Sequence, residues 1–209
     1  MIAHALSIVR NELDRHLTSY GAAPPQVELG NVGELVAGGA NNGQARGRTM
    51  LSVVNLLEER TLDNLPNYTR DDAALRVRYE NAPVFLNLAV LVTATHVSYA
   101  DALLALSRAI LFFQHRNVFT PDNVDPSSLT VNAPINPLDR LEEFKLIFKL
   151  SSPTLEEVNH LWGTLGGKQF PFALYSLRML EMRFAATEGE SGLITEVVNN
   201  FSHSTELVN

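Results

Sequence analysis

Cysteine is absent from the 209 residues, which excludes disulfide scaffolds, thiolate zinc sites and cysteine nucleophiles together. Basic charge is scarce as well: 16 Lys+Arg stand against 23 Asp+Glu, a formal net charge of −7. A non-specific nucleic-acid binder needs a basic face to displace phosphate counterions, and a membrane-surface protein needs a polybasic segment. Neither is visible, so no nucleic acid and no membrane is expected as a partner. Long apolar runs are missing too. The longest, Val84–Val92, is broken by Asn87 and reaches about half of the ~20 residues a membrane-spanning helix requires. The N-terminal MIAHALSIVRNELDRH is amphipathic and charged throughout, unlike a secretory signal. The expectation is cytoplasmic assembly of a chain that holds itself with its own apolar core.

The elements present alternate in type. Ile2, Leu6, Val9, Leu13 and Leu17 recur at helical steps, and Gly21 with Pro24-Pro25 ends that helix. Gly38–Gly47 (GGANNGQARG) holds four Gly and two Asn with no large apolar side chain and reads as a mobile surface loop. Thr49–Leu57 is β-branched and apolar, a strand; residues 61–83 read as a long excursion with a short strand at Leu75–Tyr79. Val84–His96 is apolar on both alternating sets, as in a central strand covered on two faces. Ser98, with Asp101 three residues on, starts a helix whose stripe is Tyr99, Leu103, Leu106, Ile110 and Phe113. Asn117–Pro137 reads as a loop, and Phe144–Leu150 as a half-exposed strand. Thr154 and Glu157 form a capping box before Leu155, Val158, Leu161, Trp162 and Leu165, and Gly166-Gly167 stop that helix. Ala173–Phe184 is the last clear strand. The order implies an α+β fold, a mixed β-sheet with helices packed on one or both faces.

No constellation for chemistry survives inspection. The six histidines (His4, His16, His96, His115, His160, His203) are scattered, and none stands four residues from another as a helical metal pair would. Gly163–Gln169 (GTLGGKQ) lacks the phosphate-loop glycine spacing and has Gln169 where Ser or Thr must reach magnesium. No G-x-S-x-G elbow occurs. The carboxylate pairs Glu58-Glu59, Asp71-Asp72, Glu142-Glu143 and Glu156-Glu157 are explained by strand alternation, loop solvation and a helix first turn. No catalytic, cofactor-binding or metal site is therefore expected, and no cofactor.

Thirteen of the 16 basic residues are Arg, a ratio that interfaces favour and that GC-rich coding produces equally well. Residues 187–209 differ from the rest. They carry −4 of the charge, leaving −3 on 1–186, have no Lys or Arg, and still hold Leu193, Ile194, Val197, Val198, Phe201, Leu207 and Val208. The expected division is a domain at 1–186 and an acidic, apolar C-terminal arm at 187–209.

Five stretches resemble one family: Leu29-Gly30-Asn31, Leu51–Tyr68 (LSVVNLLEERTLDNLPNY), Ala82–Ala94, Tyr99–Asn123 and Asn159–Leu180. Together V-N-x-x-E-E, F-F-Q-x-x-x-V-F-T-P and L-W-G-x-L-G resemble the cap, or tail-terminator, proteins of phage-tail-like contractile injection systems, such as the antifeeding prophage and the Photorhabdus virulence cassettes. The resemblance spans roughly residues 1–185 without the linker Val124–Asp139 and the arm. It implies a tail-terminator-like domain and a structural role, with no enzymatic activity. A homohexameric ring would close the baseplate-distal end of the particle, stacked on inner tube protein and sheath protein. The particle, once assembled, could be released from the cell. An adaptor module binding an effector or regulator is the alternative. Trp162, Phe112 and Phe113 are expected in the core. The loops at 38–47 and 61–83 would face the tube or a neighbouring protomer, and the arm would pair with a strand edge on a neighbour.

Overall fold

A computed structural model describes residues 1–21, 26–37, 46–59, 68–71, 74–80, 83–182 and 187–192. Two compact units make up the chain, Met1–Leu62 with Val84–Met182 and Asp63–Pro83 with Arg183–Asn209.

The first unit is an α+β sandwich of helices on a mixed sheet. Its elements are α1 (Ile2–Thr18), β1 (Val27–Leu29), α2 (Val32–Ala37) and β2 (Thr49–Glu58). Next in chain order come β3 (Tyr68–Asp71) and β4 (Arg76–Glu80), which belong to the second unit. The first continues with β5 (Val84–Ala94), α3 (Tyr99–His115), β6 (Val118–Phe119), α4 (Pro126–Thr130), β7 (Leu146–Ser151), α5 (Leu155–Thr164) and β8 (Phe172–Met182). The sheet runs β1-β2-β5-β8-β7-β6, with β1 parallel to β2 and every other pair antiparallel.

β5 lies third of six, as its doubly apolar sequence implies. Leu88, Val90, Val92 and Ala94 pack into one cluster with α1 and α3, while Leu91 joins Met50, Val32, Leu35 and Trp162 on the other side. Side chains alternate across a strand, so only a strand apolar at both parities can feed two cores. The expected core aromatics Phe112, Phe113 and Trp162 are all buried. Phe113 stacks on Phe148 with ring centroids 4.9 Å apart and meets Tyr175 at 4.6 Å, which ties α3 to β7 and β8.

Helix ends follow their capping signals. Ser98 accepts the Asp101 N–H, and Thr154 with Glu157 closes a reciprocal capping box. Gly166 and Gly167 sit at φ of 104° and 80°, a left-handed exit that Lys168 leaves as an ordinary exposed residue.

Three expectations change. The stretch 117–137 is not plain loop: β6 pairs with β7, and Asp125-Pro126 starts α4, with aspartate as N-cap and proline in the first turn. The α3 stripe is rotated. Ala102, Leu106, Ala109, Phe112 and Phe113 face the core, whereas Tyr99 and Leu103 are exposed. A helix apolar around most of its circumference leaves the choice of buried face to packing, and two alanines allow close approach to the sheet. Finally, Phe172–Met182 is followed by a further strand.

That strand, β9 (Thr187–Gly192), belongs to the second unit with β3 (Tyr68–Asp71) and β4 (Arg76–Glu80). The three form an antiparallel sheet in the order β3-β4-β9. The short strand expected at Leu75–Tyr79 is β4. Register sets Tyr68 opposite Tyr79, both exposed, and the next rung sets Thr69 opposite Arg78. The first six residues of the expected arm are thus paired with β4 of their own chain. Residues 38–45 of the glycine-rich segment, 60–67, 72–73 and 81–82 of the excursion, and 193–209 of the arm lie outside the described residues.

Candidate assembly surface

A buried carboxylate organises one side of the first unit. Glu12 lies on the apolar face of α1, one residue from Leu13, and is 5% exposed. Its Oε2 accepts from Arg116 at 2.6 Å, beyond the end of α3, and its Oε1 from Ser128 Oγ at 2.6 Å and the Asp125 N–H at 2.9 Å. Arg15 reaches Asp125 at 2.7 Å and Ser127 Oγ at 2.8 Å. A charge taken out of water is tolerated only when fully paired and hydrogen-bonded, and Glu12 meets that condition. The network clamps α1 to α4 and to the C-terminal end of α3. His4, also buried, serves the same helix: its Nε2 donates to the Leu129 carbonyl at 3.0 Å and its Nδ1 accepts the Leu141 N–H at 2.8 Å. The sequence signal for Glu12 was a charge interrupting an apolar stripe. Its partners lie 104 to 116 positions away and could not be read from the chain.

Other titratable groups respond to burial. His16, against Phe112 and Tyr20, is held below the usual imidazole range by burial, opposed by a hydrogen bond with the Arg108 backbone and reinforced by nearby His115. Burial lowers His96 as well, against the pull of Asp101. Tyr175 is pushed up to about 12 by burial. Asp125 is drawn down to about 2 by its hydrogen bonds from the Ser127 hydroxyl and backbone, then by Arg15.

One exposed row of α3 is uncharged, with the exposed Asp101 and His115 to its side. Ala100, Leu103, Leu104, Ser107, Leu111 and Gln114 follow one another at helical spacing and are all exposed. Tyr99 at 69%, Leu104 at 50% and Leu111 at 57% exposure are large apolar side chains in water. Single exposed leucines are ordinary, but a helix-long apolar row marks a contact surface. Two grooves lie one after the other along a single side of this row. One, of about 440 Å³, is lined by Tyr99, Leu103, Leu106 and the segment 169–172. The other, about 500 Å³ and mostly apolar, runs between α3 and β7 over Ile110, Phe113, Phe148, Leu150 and Tyr175.

The sheet edges differ. β1 covers only the first three residues of β2, and beyond it a bulge between Val53 and Asn55 interrupts the ladder, with Asn55 Oδ1 accepting the Leu56 N–H at 2.9 Å. Bulges and self-satisfied amides blunt an edge. Val53, Leu56, Leu57 and Val84 remain exposed at this end of the sheet. On the opposite edge, β6 pairs with only Leu146 and Ile147, and the Phe148 N–H reaches the Asn117 carbonyl at 2.8 Å. Because antiparallel amides alternate in direction, the Leu150 N–H and carbonyl point the same way, where no described residue meets them.

Glu59 accepts from Arg178 at 3.0 Å and from Asn87 at 2.8 Å, Asp71 caps the Ala74 N–H at 3.0 Å, and Glu157 serves its capping box. Glu142, Glu143 and Glu156 are exposed, and Asp72 lies outside the described residues. Among the described residues no group of three or more His, Asp or Glu could hold a metal, and no helix is long and apolar enough to cross a membrane. The first unit also presents an exposed, largely apolar helix row with grooves along one side of it.

The sequence model of a family described as the Pvc16 N-terminal domain matches residues 5–196. The chain belongs to that family. The match runs through the 124–139 linker and β9, which the motif resemblance had left out. Among solved structures, the chain is similar to the sheath/tube terminator, in the extended state, of the extracellular contractile injection system PVC. The TM-score is 0.57 at 14% identity, over 96% of this chain and 64% of that one. It is also similar to the tube-terminating cap of the anti-feeding prophage, with a TM-score of 0.52 at 13% identity, over 92% and 60% of the two chains. At such identities the likeness is one of fold. The α+β, tail-terminator-like architecture of this Pvc16 N-terminal domain is thereby established, and the chain spans less than two thirds of either terminator's length. No curated protein matches it.

Proposed function

We propose that this chain is a non-catalytic structural protein that caps the baseplate-distal end of a contractile injection particle and terminates inner tube and sheath as a six-membered ring. The observation that carries the reading is the family match over residues 5–196, on a fold shared with two terminators. The exposed face of α3 gives it a physical basis, since an apolar, uncharged row of this length is costly in water unless a partner covers it. In a ring, one patch of each subunit meets a different patch on the next. Inner tube protein, sheath protein and further copies of the chain are the partners. The domain at 1–186 supplies the ring, and the arm at 187–209 supplies an additional contact. Assembly takes place in the cytoplasm before the particle leaves the cell.

Inner tube protein polymerising without a terminator yields tubes of open-ended length. Adding this chain should shorten the length distribution and place a ring density at one tube end in electron micrographs, with native mass spectrometry reading six copies. Unchanged tube lengths together with a monomer indifferent to tube and sheath would overturn the proposal in favour of a free-standing adaptor.

A further inference from the structure

We propose that the open outer edge of β7 and the groove beside it receive residues 193–201 of a second copy as an added strand. It rests on the capping proposal only in requiring a second copy. The acceptor is a strand edge whose Leu150 N–H and carbonyl face outward with no described partner, beside an apolar groove of about 500 Å³ floored by Phe113, Phe148 and Tyr175. Strand addition to such an edge supplies backbone hydrogen bonds, and alternate side chains fill the pocket.

The donor is argued from composition and charge. Residues 193–201, Leu-Ile-Thr-Glu-Val-Val-Asn-Asn-Phe, are rich in β-branched side chains and carry one charge, Glu196. They follow β9, whose own pairing with β4 is complete within the chain, so the donor begins where that pairing ends. The acceptor carries Lys149, exposed on β7, with Lys145 exposed just before it; these are two of the three lysines in the chain. A lysine on an open edge repels indiscriminate pairing. It admits a strand that brings a carboxylate to the same rung, which makes it a selector as well as a guard. With Glu196 beside Lys149, the neighbouring rung sets Thr195 or Val197 beside Leu150, on the face that lines the groove with Ile110.

The absence of native cysteine makes the geometry directly testable in the full chain. Directly opposed residues on added strands stand within disulfide reach. The Leu150→Cys variant paired with either Thr195→Cys or Val197→Cys should give, on copper-phenanthroline oxidation, a covalent link between two chains. Which pair reacts reports whether the strand runs antiparallel or parallel. Lys149→Glu should weaken self-association about tenfold by analytical ultracentrifugation, and adding Glu196→Lys should restore it. Failure of both cross-links, a link confined within one chain, or a charge reversal without effect would overturn the inference. If tubes are still capped in that event, the capping proposal stands alone. If the cross-link forms while tube lengths do not change, strand exchange stands and capping fails.

Discussion

Glu12 shows what one residue can decide in this fold. Three polar partners donate to its carboxylate from the far end of α3 and the start of α4, and Arg15, one turn on along α1, stands 3.7 Å away. The Glu12→Ala substitution strands Arg116 and Ser128 and removes charge-assisted hydrogen bonds, at a cost of about 2–3 kcal/mol, measured as a lowered urea midpoint. Glu12→Gln should cost less, since the amide oxygen still accepts. His16 and His96 make stability pH-dependent. Burial holds both folded pKa values below the ordinary imidazole value of 6.5, so well above that pH both states are neutral and the fold is at full strength. As pH falls through 6.5 the unfolded chain takes up protons that the folded chain resists, and stability is lost progressively. The melting temperature should hold steady above pH 7.5 and fall between pH 7 and pH 5, and His16→Phe should flatten that slope. An unchanged slope in the variant would place the effect on other groups.

Elements were legible where their causes are local. The stripe of α1, the Ser98 cap of α3, the capping box of α5, the glycine stop after α5 and the two-sided apolarity of β5 each depend on neighbours within a few residues, and each is found in place. The Thr154→Ala change should cost about 1 kcal/mol, because the cap hydroxyl serves an otherwise unpaired helix amide, and chemical denaturation measures it. α4 went unread because its evidence is a single Asp-Pro start followed by barely more than one turn, with no periodicity to reinforce it. β3 and β9 went unread for a related reason. Tyr-Thr-Arg-Asp and Thr-Glu-Gly-Glu-Ser-Gly carry little apolar alternation, and they become strands by pairing with β4. α3 was read as a helix but turned on its axis. That turn supplies an assembly test: Leu104→Asp with Leu111→Asp should leave thermal unfolding within about 0.5 kcal/mol, as exposed sites do, while abolishing tube-end capping. Loss of folding in this variant would return the two leucines to the core.

On the scale of the whole molecule, the described residues present several surfaces suited to contact. Two grooves along one side of α3, an exposed apolar row and the open edge of β7 occupy the first unit. The second contributes a small sheet whose Tyr68 and Tyr79 share one face. Composition and periodicity by themselves determined the three long helices α1, α3 and α5, the central strand, the α+β class and the lack of thiol chemistry, because each follows from residue type and short-range spacing. The acidic imbalance concentrated in the last 23 residues was also readable there. Only the tertiary structure decided which face of α3 stays in water, which partners bury Glu12, and which sheet edge is left open. Those outcomes depend on contacts between residues far apart in the chain, from Val118 with Ile147 in β6 and β7 to Glu12 with Ser128, 116 positions apart, where competition for a limited core selects one packing among several that local patterns permit equally.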